Sequence, residues 1–261
     1  YVNVGFALVL PMGLCVWPLQ PLAPWLVEQM GTSAAVQPHV VAYMQVELFA
    51  LPFWLINYAI SGFLRGLGDM KTPMVVTLIA NAVNACFATI LVFGTGPIPS
   101  LGVAGAALAT VLAGAISSLL YLRVYFGRQN HERYATRRVE LPRLSEVWEF
   151  LKVGAPAGAG GVAEMACWTL LTIYISRIAP EALAASTIVW QIIHFSFMPT
   201  VALSIASSTL VGQYLGAERV DLAGKTAKRG ILMGVCFMGV VGASFAIFRD
   251  PLIGVFNSSP E

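Results

Sequence analysis

Long stretches of apolar residues recur along this chain and leave little choice of fold. A transmembrane helix needs about 20 consecutive apolar residues, and a water-soluble fold cannot cover many such stretches at once. The sequence contains seven, each bounded by charges, Gly or Pro. We label them spans a to g, at about 4–28, 40–64, 73–95, 102–124, 150–176, 182–213 and 227–248. We therefore predict an all-α polytopic membrane protein with seven transmembrane helices.

Composition argues against a soluble or nucleic-acid-binding protein. The 261 residues are 57% hydrophobic and 11% charged, whereas soluble domains carry about 25% charged residues. A net charge of +2 is too small to indicate nucleic-acid binding, so the expected partners are membrane lipid and a small solute. The four cysteines lie in apolar runs, which predicts small hydrophobic side chains rather than disulfides or metal ligands.

The basic residues predict an orientation in the membrane. The sequence contains 15 Lys and Arg residues, and all but two lie in or beside the loops that follow spans b, d and f. The two exceptions are Arg177 and Arg249. Seven spans put those three loops on one side, and basic residues gather on the cytoplasmic side. Because the chain begins with Tyr1 and enters an apolar run within a few residues, we also expect it to be part of a longer protein.

The longest loop predicts a boundary between two domains. A charged segment at 127–148 separates four spans in 1–126 from three spans in 149–261. We predict a cytoplasmic linker there. Near its end, the apolar residues are spaced like an amphipathic helix lying on the membrane surface, namely Leu144, Val147, Trp148 and Leu151.

A carboxylate in the middle of span e is the strongest candidate for function. A charge at the bilayer centre costs about 2.5–3.5 kcal/mol on insertion scales and is usually retained for a purpose. Glu164 lies about halfway through span e among Gly and Ala, with Trp168 one turn further on the same face. We expect this carboxyl to bind a proton, Na⁺ or an organic cation beside the ring. The alternative is a hydrogen bond that serves helix packing alone.

Six further polar residues fall inside the spans. Glu47 lies about two turns from the extracytoplasmic end of span b, where it can reach the interface or a water-filled vestibule. The others are candidates for lining a central cavity or for interhelical hydrogen bonds: Asn57, Asn81, Asn84, Gln191 and His194. Two pairs among them have helical i, i+3 spacing and share a face. Apart from Na⁺ at Glu164, we predict no metal site and no cofactor.

The link between spans b and c contains a tight polar turn. Its glycines and Asp69 predict a structural turn or cap rather than a catalytic site. Thr72 is placed to cap the helix of span c, with Pro73 at its first position.

The same link carries a family resemblance. The segment from Phe63 to Met74, FLRGLGDMKTPM, resembles the signature between the fourth and fifth helices of the multidrug and toxic compound extrusion (MATE) family. Three other blocks resemble the family in the same order: LGVAGAALAT from Leu101, VGAP from Val153, and VGQYLGA from Val211.

The resemblance implies a function for the whole protein. Spans a to g would be helices three to nine of a twelve-helix, two-lobed antiporter that exports organic cations and drugs against Na⁺ or H⁺. Family members carry a cation-binding glutamate ten residues after the glycine of the seventh-helix Gly-x-Pro, and Gly154 to Glu164 has that spacing. The family's acidic residues on helices one and ten would lie outside this chain. A monomer in the inner membrane, without enzymatic activity, is expected.

Three other functions remain as alternatives. A lipid-linked oligosaccharide or peptidoglycan-precursor flippase of the same superfamily should carry basic residues inside its spans, and none lies mid-span here. The span count alone suggests a seven-helix receptor or retinal protein, but span g has no central Lys. The sequence also lacks the HExxH and GxSxG motifs of intramembrane enzymes.

Overall fold

A computed structural model describes residues 20–29, 36–94, 99–136, 142–178 and 180–247, together with residues 5, 11, 13 and 18. Within these ranges the secondary structure is helical, without strands. The helices are α1 (Leu22–Gln29), α2 (Gln37–Glu47), α3 (Leu51–Gly66), α4 (Lys71–Phe93), α5 (Gly102–Tyr125), α6 (Arg128–Tyr134), α7 (Leu144–Ile178), α8 (Pro180–Gly216) and α9 (Val220–Ile247). A 3₁₀ turn, Leu48–Ala50, joins α2 to α3.

Six helical stretches of the described chain are long and apolar enough to cross a membrane. They are Gln37–Gly66, Lys71–Phe93, Gly102–Tyr125, Leu144–Ile175, Val189–Gly216 and Val220–Ile247. These confirm spans b to g and the all-α membrane fold. Span a lies largely outside the described residues, which include only α1 and a few isolated positions of that region.

The chain divides into two compact units, Tyr1–Lys152 and Val153–Glu261, which we call unit 1 and unit 2. The division falls inside α7. In the linker, α6 is a short helix that begins after Gly127 and ends at a left-handed Ala135. The four apolar residues expected to form a separate surface helix belong instead to the first turns of α7. The cytoplasmic position of the linker stays a prediction.

Unit 1 is organised around α5, which packs against α2, α3 and α4. Small residues permit this because they let helix backbones approach closely. Gly105 is buried, and a methyl group there would lie 2.7 Å from the backbone carbonyl carbon of Leu91 on α4. At the other end of α5, Tyr121 and Tyr125 form a core with Ile60, Leu64 and Val76.

Helix α3 ends in a turn that the sequence predicted only in part. Gly68 has φ 85°, and its N–H donates to the Arg65 carbonyl at 2.8 Å. The prediction that Thr72 caps the next helix is wrong, because α4 already begins at Lys71. Asp69 is the capping side chain, and it accepts from the Thr72 N–H at 3.0 Å and from the Thr72 hydroxyl at 2.6 Å. The hydroxyl donation holds the pKa of Asp69 below its ordinary value.

Unit 2 contains a tightly packed pair, α8 and α9. Gly230 of α9 lies against Ser207 of α8, where an added methyl group would come within 2.9 Å of the Ser207 Cβ. Helix α7 contacts this pair through Trp168, whose ring meets Trp190 of α8 edge-on at a centroid distance of 4.1 Å. The stretch of α7 from residue 153 to 170 is exposed throughout.

Candidate functional site

A cavity of about 470 Å³, lined by apolar and polar side chains, lies between α3, α4 and α5 in unit 1. Three of the predicted site residues line it: Asn57 from α3, and Asn81 and Asn84 from α4. The helical spacing of the two α4 asparagines predicted that they share a face, and they do. The volume falls within the range of about 300–1,000 Å³ that is usual for small-molecule sites.

Asn57 is held in place by two serines of α5. Its amide nitrogen donates to the Ser117 hydroxyl at 2.7 Å, and its amide oxygen accepts from the Ser118 hydroxyl at 2.9 Å. The Ser118 hydroxyl also lies 3.1 Å from the Phe53 carbonyl oxygen and 2.9 Å from that of Gly114, so its single hydrogen is shared among three acceptors. Both serines are buried. Asn57 therefore joins α3 to α5 and keeps one amide hydrogen for a ligand, so packing and binding are compatible roles.

The α4 side of the cavity is less constrained. Asn84 donates to the Thr110 hydroxyl of α5 over 3.4 Å, a long hydrogen bond. Asn81 is exposed, although it lines the same cavity. Both amides can reorient toward a bound molecule at little cost, because few hydrogen bonds hold them.

Aromatic rings complete the wall. Trp54, Tyr58 and Tyr121 line the cavity, and the rings of Trp54 and Tyr58 lie 6.4 Å apart. None of the described lining residues carries a charge. Ring faces attract cations, while amides and hydroxyls donate and accept hydrogen bonds. The arrangement suits an organic cation or a polar aromatic molecule.

Sequence reasoning missed the α5 contribution to this cavity. Thr110, Ser117 and Tyr121 all line it. The signal was present, since Ser117-Ser118 interrupts the apolar run of span d. Polar residues in a membrane helix usually face a partner helix or a cavity, and this pair does.

Glu47 does not line the cavity. It is the last residue of α2, directly before the 3₁₀ turn, and it is half-buried. Its Oε2 is buried without a hydrogen-bond partner among the described residues.

The remaining predicted residues lie in unit 2. Glu164 and Trp168 lie on the exposed stretch of α7, and Gln191 and His194 are exposed on α8. The Trp168–Trp190 contact nevertheless brings the two helices together close to these residues. Sequence reasoning missed Trp190, although the two tryptophans are equally far in sequence from position 179, between α7 and α8.

Unit 2 has a cavity of its own, which no sequence prediction anticipated. It measures about 540 Å³ and lies between α8 and α9. Its walls combine apolar side chains with the hydroxyls of Thr200, Ser204, Ser207 and Ser208. In the part of the chain that the structure describes, no group of three His, Cys, Asp or Glu residues is close enough to hold a metal ion.

Comparison with known proteins identifies relatives along most of the chain. The MatE family model matches residues 1–90 and 156–261. A Thermotoga maritima protein named "Probable multidrug resistance protein NorM" is 30% identical over 251 residues, which are 95% of this chain and 53% of that protein. "Probable multidrug resistance protein YoeA" of Bacillus subtilis is 28% identical over 240 residues, or 89% of this chain and 50% of that protein.

A solved structure shows the same fold. The crystal structure of MATE in complex with MaL6 matches 99% of this chain and 58% of its own with a TM-score of 0.84, at 22% identity. The chain spans about half the length of the curated relatives that it matches.

Proposed function

The chain belongs to the MatE family of multi-pass membrane transporters, and from that membership we propose that the complete protein is an antiporter that exports organic cations and other drugs in exchange for Na⁺ or H⁺. Several relatives carry names that describe multidrug resistance, which supports a drug as the exported molecule. The coupling to Na⁺ or H⁺ is what the family resemblance implies, and the carboxyl of Glu164 inside a span supports it.

The observation that carries the proposal is the cavity of unit 1. A drug exporter has to accept apolar, often cationic molecules that differ in shape. The cavity offers three aromatic rings for stacking and cation–π contact, and amides that donate or accept. Because two of these amides are loosely held, one site can adapt to different drugs.

Unit 2 supplies the proposed cation site. Glu164 is an acidic residue near the middle of a described span, and Trp168 lies one turn away. Trp190 presents a second ring at this level. A carboxylate beside two indoles suits Na⁺, a proton or an organic cation. Gln191 and His194, on the same helix as Trp190, are placed to contribute further polar contacts.

Binding at these sites would drive transport by a shift between conformations. A cation at Glu164 favours one conformation and the drug favours the other. Cation entry and drug export therefore alternate. We place the protein in the cytoplasmic membrane as a monomer, with the linker at 127–148 on the cytoplasmic side. Its partners are then lipid, a drug and the coupling ion, and no cofactor is needed.

Everted membrane vesicles test this function. We expect vesicles from cells that express the complete reading frame to accumulate ethidium when a pH or Na⁺ gradient is imposed. Glu164→Gln should reduce the initial rate by about 10- to 100-fold, the effect of losing a charged hydrogen-bonding group. The control is Asp221→Asn, an exposed carboxylate in the first turn of α9, which should transport normally.

Two results would contradict the proposal. Accumulation that ignores both gradients would rule out antiport. Full gradient-driven transport by Glu164→Gln would remove this residue from the coupling site.

A further inference from the structure

Glu47 lies close to the middle of its membrane span. The apolar helical stretch that contains it runs from Gln37 to Gly66, and Glu47 is four to five residues from its middle. At about 1.5 Å per residue this is about 7 Å along the helix axis. The hydrocarbon core of a bilayer is about 30 Å thick, so a residue this close to the middle of a span lies within it. An ionised side chain so placed usually has a function.

The neighbouring helix offers this carboxyl little to bond to. Helices α3 and α5 run in the same direction, since Phe53 lies beside Gly114 and Phe63 beside Tyr125. Extending that register toward α2, which also packs on α5, places Glu47 level with residues 105–109. The buried members of that segment are Gly105, Ala107 and Ala109. At that level of α5 these side chains offer only hydrogen atoms and methyl groups, which cannot bond a carboxylate.

The charged and titratable groups on the packed elements do not neutralise it. Helix α1 contributes Glu28 and α2 itself His39 and Tyr43, all of them exposed. On α5 the groups are Tyr121, Arg123 and Tyr125, which lie in its last two turns. This distribution agrees with the buried, unpartnered Oε2, a statement limited to the part of the chain that the structure describes. Burying a charged oxygen without a partner is costly, and binding a proton removes the charge.

Glu47 also stands where a change of charge can move the helix. It immediately precedes the 3₁₀ turn Leu48–Ala50, and Pro52 follows in the first turn of α3. A 3₁₀ stretch within a longer helix often marks a hinge. By the same register, Thr110 of the unit 1 cavity lies within one turn of the level of Glu47. The carboxyl therefore lies near the level of the outer end of that cavity, although it does not line it.

We propose that Glu47 is a proton-binding residue that takes up a proton from the extracytoplasmic side and, through the 3₁₀ turn between α2 and α3, controls the outer end of the unit 1 cavity. Proton binding at this residue is independent of what the protein transports. The control of transport rests on the proposed antiport function.

Infrared difference spectroscopy tests the proton site directly. The complete protein in liposomes is compared at neutral and acidic pH, and we expect a C=O stretching band of a protonated carboxyl that titrates. Glu47→Gln should remove that band, while Glu47→Asp should keep it at a shifted frequency. The matched control is Glu28→Gln, which changes an exposed carboxylate on the neighbouring helix and should leave the band intact. A spectrum of Glu47→Gln that equals the wild type overturns the proposal.

Transport measurements test the coupling. With a pH gradient as the driving force, Glu47→Gln should lower the initial rate by at least about fivefold, the lower end of typical coupling between sites, and Glu47→Asp should restore part of it. If Glu47→Gln removes the infrared band but leaves pH-driven transport unchanged, Glu47 does not control the cavity. A protein that transports no drug at all contradicts the proposed function, but the infrared titration still decides whether Glu47 binds a proton.

Discussion

In unit 1 the amide of Asn57 is bonded at both ends by serines of α5, whereas in unit 2 Glu164 lies on an exposed face of α7. Both are polar residues inside apolar spans, yet one is satisfied within its own unit and the other is not. Substituting a polar residue that is hydrogen-bonded to its neighbours lowers the stability of the fold. Substituting an exposed polar residue chiefly changes the binding of ligands. The two units should therefore respond differently to the same kinds of substitution.

Adding a methyl group to a helix glycine tests how closely each helix is covered. At Gly105 of α5 the added carbon meets the backbone of Leu91, so Gly105→Ala should lower the free energy of unfolding by about 1–3 kcal/mol. At Gly154 of α7 nothing lies within 4 Å, and Gly154→Ala should raise it by up to about 1 kcal/mol through helix propensity. Thermal unfolding in detergent measures both. Marked destabilisation by Gly154→Ala would show that a further element covers α7.

Removing an amide separates packing from binding. Asn57→Ala should destabilise the protein by about 0.6–2 kcal/mol, because the bonds to Ser117 and Ser118 are lost. Gln191→Ala removes an exposed amide of α8 and should change the unfolding temperature little while lowering the rate of gradient-driven ethidium transport. Equal loss of stability in the two variants would contradict the contrast between the units.

The two units also contain the same helix-ending turn built from different residues. After α3, Gly68 bonds the Arg65 carbonyl and the Asp69 N–H bonds the Leu64 carbonyl at 2.9 Å. After α8, Glu218 bonds Leu215 at 3.0 Å and Arg219 bonds Tyr214 at 2.8 Å in the same pattern. Gly68 and Glu218 both have positive φ, 85° and 58°.

Exchanging glycine and non-glycine residues at these positions should have opposite effects. Gly68→Ala should destabilise by about 1 kcal/mol, because a side chain is strained at positive φ. Glu218→Gly relieves that strain but increases the freedom of the unfolded chain, so a net stabilisation below about 1 kcal/mol is expected. Chemical denaturation of both variants measures the difference. Destabilisation by Glu218→Gly would mean that the Glu218 side chain makes a contact worth more than the strain.

The membrane spans could be predicted because apolar length is a local property. Each of spans b to g could be predicted by itself, because an apolar run long enough to cross the bilayer is sufficient to indicate a helix. The α4 asparagines could be placed on one face for the same reason, since i, i+3 spacing is also local. The ends of the helices were harder to predict. Thr72 and Asp69 are both good capping residues, and only the start of α4 at Lys71 decides between them.

The sequence by itself therefore determined the fold class, the six described spans and the polar residues worth considering. Only the tertiary structure decided which of them meet. Asn57 contacts Ser117, 60 residues further along the chain, and Trp168 of α7 contacts Trp190 of α8. Glu47 lies level with a run of small residues of α5. Such pairings depend on the register between packed helices, which side-chain shape sets and which no periodicity within one helix contains.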